Sequence, residues 1–246
     1  MAGLSSRFKK AGYKAPKYML EAHGKTLFKH SVSSFEKYFD IESFLFIALD
    51  VFDVRAFIQQ QCKELGINNY QIIILDKATQ GQAETVYLGV KQADVSSNEA
   101  LLIFNIDTIR PYFTWPTEFD MDTADGYLET FIGSGANWSN ILPDDRQLKT
   151  VKLTAEKQEI SQYCCTGLYY WRKCTDFCRV FESYQQKTLN EIQAGEYYIA
   201  PMYNDLISEG KDIRYSVIDE NEVIFCGVPE EYNLFLDLDK YVRPRN

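Results

Sequence analysis

Gly3-Leu4-Ser5-Ser6-Arg7-Phe8 and, after a short polar loop, Pro16-Lys17-Tyr18-Met19-Leu20 open the chain. A turn of small residues leaves its backbone N–H groups unobstructed, so they can converge on phosphate oxygens. Arg7 adds a planar fork suited to a phosphate, and Lys17 adds a compact positive charge. Gly3 can take a positive φ at no steric cost, and Pro16 holds the residue before it extended, which helps to aim Lys17. Gly3, Leu4, Ser5, Ser6, Arg7 and Lys17 together read as a polyphosphate cradle. In an open α/β sheet such a loop hangs from the carboxyl end of a strand, so this reading governs what is expected downstream.

Moving outward, Leu27, Phe28, Val32, Phe35 and Phe39 recur at helical spacing. Residues 43–49 form a short apolar run that reads as a buried strand. Asp53 is placed to cap a helix with Val54, Phe57, Ile58 and Leu65 on one face and Gly66 as its stop. A second strand is predicted over 70–75, a helix from Gly81 through Ala83, Val86 and Val90, and a third strand over 100–104. Apolar strands alternating with amphipathic helices argue for a mainly parallel sheet with helices on both faces. Ligands in such sheets sit beyond the carboxyl ends of the strands. The loops expected to matter are therefore the cradle, 77–82 and 105–107. Past Gly126 the alternation weakens: strands are predicted over 127–132, 151–153, 165–171, 213–218 and 222–225, helices over 176–187 and 200–209, and a last helix from Pro229. With no Pro-, Gly- or Ser-rich linker and no repeat, residues 1–246 read as one α/β domain.

Composition narrows the function classes. A formal net charge of −9 disfavours general binding to nucleic acid or anionic membranes. It also makes Arg7, Lys9, Lys10, Lys14 and Lys17 stand out, although Lys9, Lys10 and Lys14 read equally well as a solvated face. Gly12 and Pro16 break any long amphipathic helix, which argues against a transit peptide. No apolar run reaches the length of a membrane span, and a cytoplasmic location is expected. Cys164 and Cys165 are adjacent and Cys174 and Cys178 lie four apart, so neither pair has usual zinc spacing, and buried reduced thiols are the expectation.

The opening segment resembles the signature loop of the nucleotidyltransferases that make nucleotide-sugars, commonly Gly-x-Gly-(Ser/Thr)-Arg-(Phe/Met/Leu) followed by Pro-Lys. The resemblance recurs, in the family's order, at Gly81-Gln82-Ala83-Glu84-Thr85, Asn105-Ile106-Asp107, Ala155-Glu156-Lys157, Thr166-Gly167-Leu168-Tyr169-Tyr170 and Gly227-Val228-Pro229-Glu230. It implies a Rossmann-like fold of the GT-A nucleotidyltransferase type. By resemblance Asp107 matches the aspartate that holds a metal, expected to be Mg²⁺; on its own residues it reads either as a hard oxygen ligand at the sheet's edge or as a turn residue capping a strand end. Gln80, Gly81 and Gln82 resemble the family's base-reading loop, and Gln offers both the donor and the acceptor that base edges require. Glu156 and Lys157 match the pair that contacts the acceptor and its phosphate. Gly167 matches a glycine on which a sugar ring packs, or else marks a bulge.

Several departures stand out. Asn105 replaces the family's frequent glycine or acid, and Ser5 stands where a second glycine is usual. The C-terminal motif also lacks an acid two residues before its glycine, where Phe225 stands; Asp219 or Glu222 is a candidate replacement. The strand from which the cradle should hang has no residues, since only Met1 and Ala2 precede Gly3. An apolar segment of about five or six residues before Met1 is expected, unless another strand fills the gap.

The expected function is transfer of a nucleoside monophosphate from an NTP to a phosphorylated small molecule, most simply a sugar 1-phosphate, with release of pyrophosphate. Alternatives are a glycosyltransferase that consumes a nucleotide-sugar on a similar sheet, and a catalytically silent nucleotide-binding regulator. The partners expected are the NTP and the acceptor, with no nucleic acid and no membrane. Self-association into a homo-oligomer, the base and the acceptor are left open.

Overall fold

Apolar runs become strands and amphipathic runs become helices in the order the spacing predicts. The computed structural model describes residues 1–188 and 190–238. The opening loop enters α1 (Ser6–Lys10), and a hairpin of β1 (Glu21–Ala22) and β2 (Lys25–Thr26) feeds α2 (Leu27–Val32). Thr26 caps α2 by accepting the Lys29 N–H at 3.1 Å. The helix predicted through Phe39 is shorter as an α-helix, because it passes into 3-10 turns with a kink at Phe35 (φ −108°, ψ 22°). Next come β3 (Phe44–Leu49), α3 (Val54–Leu65), β4 (Tyr70–Leu75), α4 (Gln82–Gln92) and β5 (Leu101–Phe104). β3 and β4 pair in parallel from Phe44↔Tyr70 to Leu49↔Leu75, as the crossover by α3 requires. Gly66 ends α3 in the left-handed conformation, but Asp53 makes no side-chain cap bond, since its own φ of 49° turns it away from that geometry.

The second half comprises β6 (Thr108–Ile109), β7 (Gly126–Ile132), β8 (Ser139–Pro143), β9 (Val151–Glu156), β10 (Tyr163–Trp171), α5 (Cys174–Tyr184), α6 (Tyr203–Ser208), β11 (Ile213–Ile218), β12 (Ile224–Phe225) and α7 (Pro229–Asp237). β10 is the hub, antiparallel to β5, β7 and β8, while β7 and β11 run parallel. The fold is therefore the expected mixed α/β arrangement, with a larger antiparallel share than the alternation suggests. The reason is local: β7 to β10 follow one another through loops with no crossover helix. β8 escaped prediction because its apolar content is only Ile141 and Leu142 before Pro143.

Helices cover both faces. One core joins Phe177, Phe181 and Tyr203 to Leu128 and Tyr169; the other joins Phe28, Phe35 and Ile58 to Phe46 and Tyr127. All six cysteines are buried free thiols. Among the described residues, β3 pairs only with β4 and β5 only with β10. The edges of β3 and β5 instead face a cavity of about 930 Å³ that also meets the cradle.

A buried ion pair braces β7 beneath this region. Arg110 Nε donates to both Glu129 oxygens at 3.2 and 3.1 Å, and the Thr166 hydroxyl donates to Glu129 at 3.1 Å. Burial pushes the Glu129 carboxyl up, and the guanidinium pulls against it. Removing one partner strands a desolvated charge, so Arg110→Ala should cost about 3–5 kcal/mol, whereas the apolar double replacement Arg110→Met/Glu129→Leu should cost much less. Urea unfolding of the three proteins measures both.

Candidate active site

Two loops distant in sequence meet through one ion pair. Lys17 begins a 3-10 turn, and its backbone N–H donates to Ser5 Oγ at 3.3 Å. Its ammonium pairs with the Asp107 carboxylate. Ser5 has φ 49° and ψ 37°, a left-handed conformation that glycine adopts freely and other residues at a cost of about 1–2 kcal/mol. Serine is thus held in a glycine-like geometry, and its hydroxyl ties the cradle to Lys17.

Asp107 follows β5. Its carbonyl accepts the Cys226 N–H at 2.8 Å, and Gly227 packs so closely that an added Cβ would lie 3.1 Å from Asp107 Oδ2. Burial alone would raise the Asp107 carboxyl, but the Lys17 charge and hydrogen bond outweigh it and hold the group below its ordinary value. The result is an ionised, hard oxygen donor at neutral pH.

Gly81 precedes α4 with φ 151°, and a Cβ there would lie 2.5–2.8 Å from the Tyr197 backbone. Glycine is required by that contact: Tyr197 N–H donates to the Gln80 carbonyl at 2.9 Å, and Ala83 N–H donates to the Tyr197 carbonyl at 2.8 Å. The loop is thereby joined to the segment carrying Glu196 and Tyr198, both of which line the cavity. Gln82 Nε2 donates to Asn105 Oδ1 at 2.5 Å.

The cavity brings together Gly3, Leu4, Ser5, Ser6, Lys17, Gln80, Gly81, Gln82 and Asp107. It does not include the rest of the sequence-predicted set. Arg7 is exposed on α1 and outside the lining. Glu156 is buried, accepts from the Ser139 hydroxyl, and has its carboxyl pushed up by burial. Lys157 reaches the cavity wall through Tyr198, whose hydroxyl accepts from the ammonium and whose ring centroid lies 4.6 Å from it. Gly167 sits at a bulge in β10 with φ 95° and packs on Asn105.

The two proposed substitutes for the missing acid stand elsewhere. Asp219 caps a 3-10 turn by accepting the Asn221 N–H at 2.9 Å, and Glu222 lies 3.9 Å from Arg110. Glu231 is nearer: its Oε2 accepts the Gly227 and Val228 N–H groups at 2.7 and 3.2 Å, and a Gly227 Cβ would lie 3.5 Å from it. Sequence reasoning missed Glu231, although an acid in the first turn of a helix opened by Pro229 can accept from the backbone N–H groups just before it. Glu196 carries no local signal, and the aromatic run at Tyr197 and Tyr198 reads from sequence as core packing, because nothing local marks a segment that joins the far earlier Gln80–Gln82 loop.

A strand-end carboxylate paired with the lysine of a small-residue loop thus meets a glutamine-bearing loop in one cavity. No family model and no curated protein sequence matches the chain. Solved structures do. A nucleoside-diphosphate-sugar pyrophosphorylase from Vibrio cholerae RC9 is 48% identical, with 96% of this chain and 97% of that one covered and a TM-score of 0.90. More distant likenesses, which speak to the fold alone, are the inositol-1-phosphate CTP transferase from T. maritima (15% identity, 98% and 94% covered, TM-score 0.68) and the CTP:phosphocholine cytidylyltransferase from Streptococcus pneumoniae (16%, 97% and 96%, 0.64). The chain belongs to the nucleoside-diphosphate-sugar pyrophosphorylase family. Among the described residues no helix is long and apolar enough to cross a membrane.

Gly81→Ala tests the joint between loop and wall. The Cβ must displace backbone, so the variant should lose about 1–3 kcal/mol of stability. Thermal unfolding reads this, and an unchanged melting temperature would contradict the packing described.

Proposed function

We propose that this protein transfers a nucleoside monophosphate from an NTP to a phosphorylated small molecule, with a sugar 1-phosphate as the acceptor, and releases pyrophosphate. The observation that carries the reading is the Lys17–Asp107 pair, set in one cavity with the cradle and the Gln80–Gln82 loop. The 48% identical relative supports the sugar acceptor.

No protein nucleophile is required. An acceptor phosphate oxygen attacks the α-phosphorus as the bond to the pyrophosphate oxygen breaks. The protein aligns two anions and neutralises the charge that grows on the transferred and leaving groups. The cradle amides of Gly3, Leu4, Ser5 and Ser6 hold the β- and γ-phosphates, and Arg7, which stands outside the lining on α1, would have to swing inward to join them. Lys17 stabilises the α-phosphate, Gln80, Gly81 and Gln82 read the base, and Lys157, Glu156 and Gly167 serve the acceptor side. Asp107 offers a divalent cation an ionised carboxylate, with its bond to Lys17 yielding to the metal, and among the described residues no group of three or more His, Cys, Asp or Glu side chains is gathered around it. Asp107 would hold Mg²⁺ together with the substrate phosphates, as such ions are commonly held, and the ion would supply charge neutralisation there.

Three experiments follow. Pyrophosphate release across four NTPs and a panel of phosphorylated acceptors tests the reaction; release of a nucleoside diphosphate from nucleotide-sugars would replace it with glycosyl transfer. Asp107→Asn should keep the fold and lose on the order of 10²-fold or more in Mg²⁺-dependent turnover. Lys17→Ala should lower kcat more than it weakens NTP binding, because the charge matters most as the transition state develops. A rise in KM alone would make Lys17 a ground-state contact.

A further inference from the structure

Asn105 touches three parts of the site at once. Its Oδ1 accepts from Gln82 at the start of α4. Its backbone carbonyl accepts the Thr108 N–H at 3.1 Å and the Ser31 hydroxyl at 3.3 Å. Its side chain lies against Gly167, where an added Cβ would come within 2.3 Å of Nδ2 and 2.9 Å of Cγ. The antiparallel register explains the last contact: Leu168 faces Phe104, so the next residues along, Gly167 and Asn105, meet at the bulge of β10.

The glycine at 167 therefore has a cause within this chain. Any side chain there would occupy the volume of the Asn105 amide, and the backbone φ of 95° disfavours other residues as well. Asn105 is also two residues from Asp107 on the same short loop. A 2.5 Å bond from Gln82 thus links the base-side loop to the loop that presents the carboxylate.

We propose that Asn105 is a positioning residue, clasped by Gln82 and seated under Gly167, that sets the Asp107 carboxylate in response to the state of the Gln80–Gln82 loop. The inference rests on the nucleotidyl-transfer reading of this cavity. Asn105 acts through Asp107 and Gln82 and carries no reacting group.

The test is a double-mutant cycle with Gln82→Ala, Asn105→Ala and the pair, using kcat, the Mg²⁺ concentration for half-maximal rate, and Kd for a non-transferable NTP analogue. Each single variant should lower kcat about 10-fold or more and raise the Mg²⁺ requirement, while the double variant should be no worse than the worse single, because one shared contact is lost. Fully multiplicative effects, or an unchanged Mg²⁺ requirement in both singles, would overturn the proposal. A change only in melting temperature would do the same, since a merely structural side chain moves stability without the metal dependence. If Asn105→Ala does not fold, Gln82→Ala decides alone by its Mg²⁺ requirement, because it leaves β5 untouched. A wild-type protein with no transfer in the pyrophosphate screen removes the underlying reading. An active wild type with an unaffected Gln82→Ala removes only this inference.

Discussion

The Lys17–Asp107 ion pair is the constraint on which the site depends. It joins residues 90 positions apart, one from a loop of small residues and one from a strand end. A carboxylate in this partly buried position is raised by desolvation, and the charge and hydrogen bond of the adjacent ammonium are the main influences that hold it down. The surrounding backbone holds the pair in register: Ser5 Oγ accepts from Lys17, and Cys226 donates to the Asp107 carbonyl. The C-terminal segment is in turn fixed by Glu231, which takes the N–H groups of Gly227 and Val228.

The second determinant is close backbone approach. Gly81 meets Tyr197, Gly167 meets Asn105 and Gly227 meets Asp107, each at a separation that leaves no room for an undisturbed Cβ. These contacts join the cavity's Gln80–Gln82 and Asn105–Asp107 loops to segments from three other parts of the chain. Beneath them the Arg110–Glu129 pair and Thr166 hold β7 and β10 together. A site assembled on such supports needs few charged groups of its own, which suits chemistry that works by alignment and charge neutralisation.

Much of this is legible in the residues. Apolar runs ending in polar loops mark β4 and β5, and the residues just past them, Gln80–Gln82 and Asp107, line the cavity. The Pro16-Lys17 dipeptide marks the end of the cradle. What escapes is long-range. Tyr198 and Glu196 reach the site through a β-like contact with the Gln80 loop, and no periodicity reports that. Asp219 and Glu222 look like replacement acids by proximity in sequence, yet one caps a turn and the other faces Arg110. Glu231, a few residues further on, comes close because it lies in the first turn of α7 and reaches back to the N–H groups of Gly227 and Val228. Asn105 reads as a departure from a family pattern, and its meaning emerges only with the partner strand in place.

The fate of the α-phosphate tests the account most directly. Incubation with an NTP labelled at the α-phosphorus, Mg²⁺ and a sugar 1-phosphate should place the label in a diphosphate-linked nucleotide-sugar, with unlabelled pyrophosphate formed in equal amount. Label recovered in free nucleoside mono- or diphosphate, or left in the NTP across the panel of phosphorylated acceptors, would contradict it.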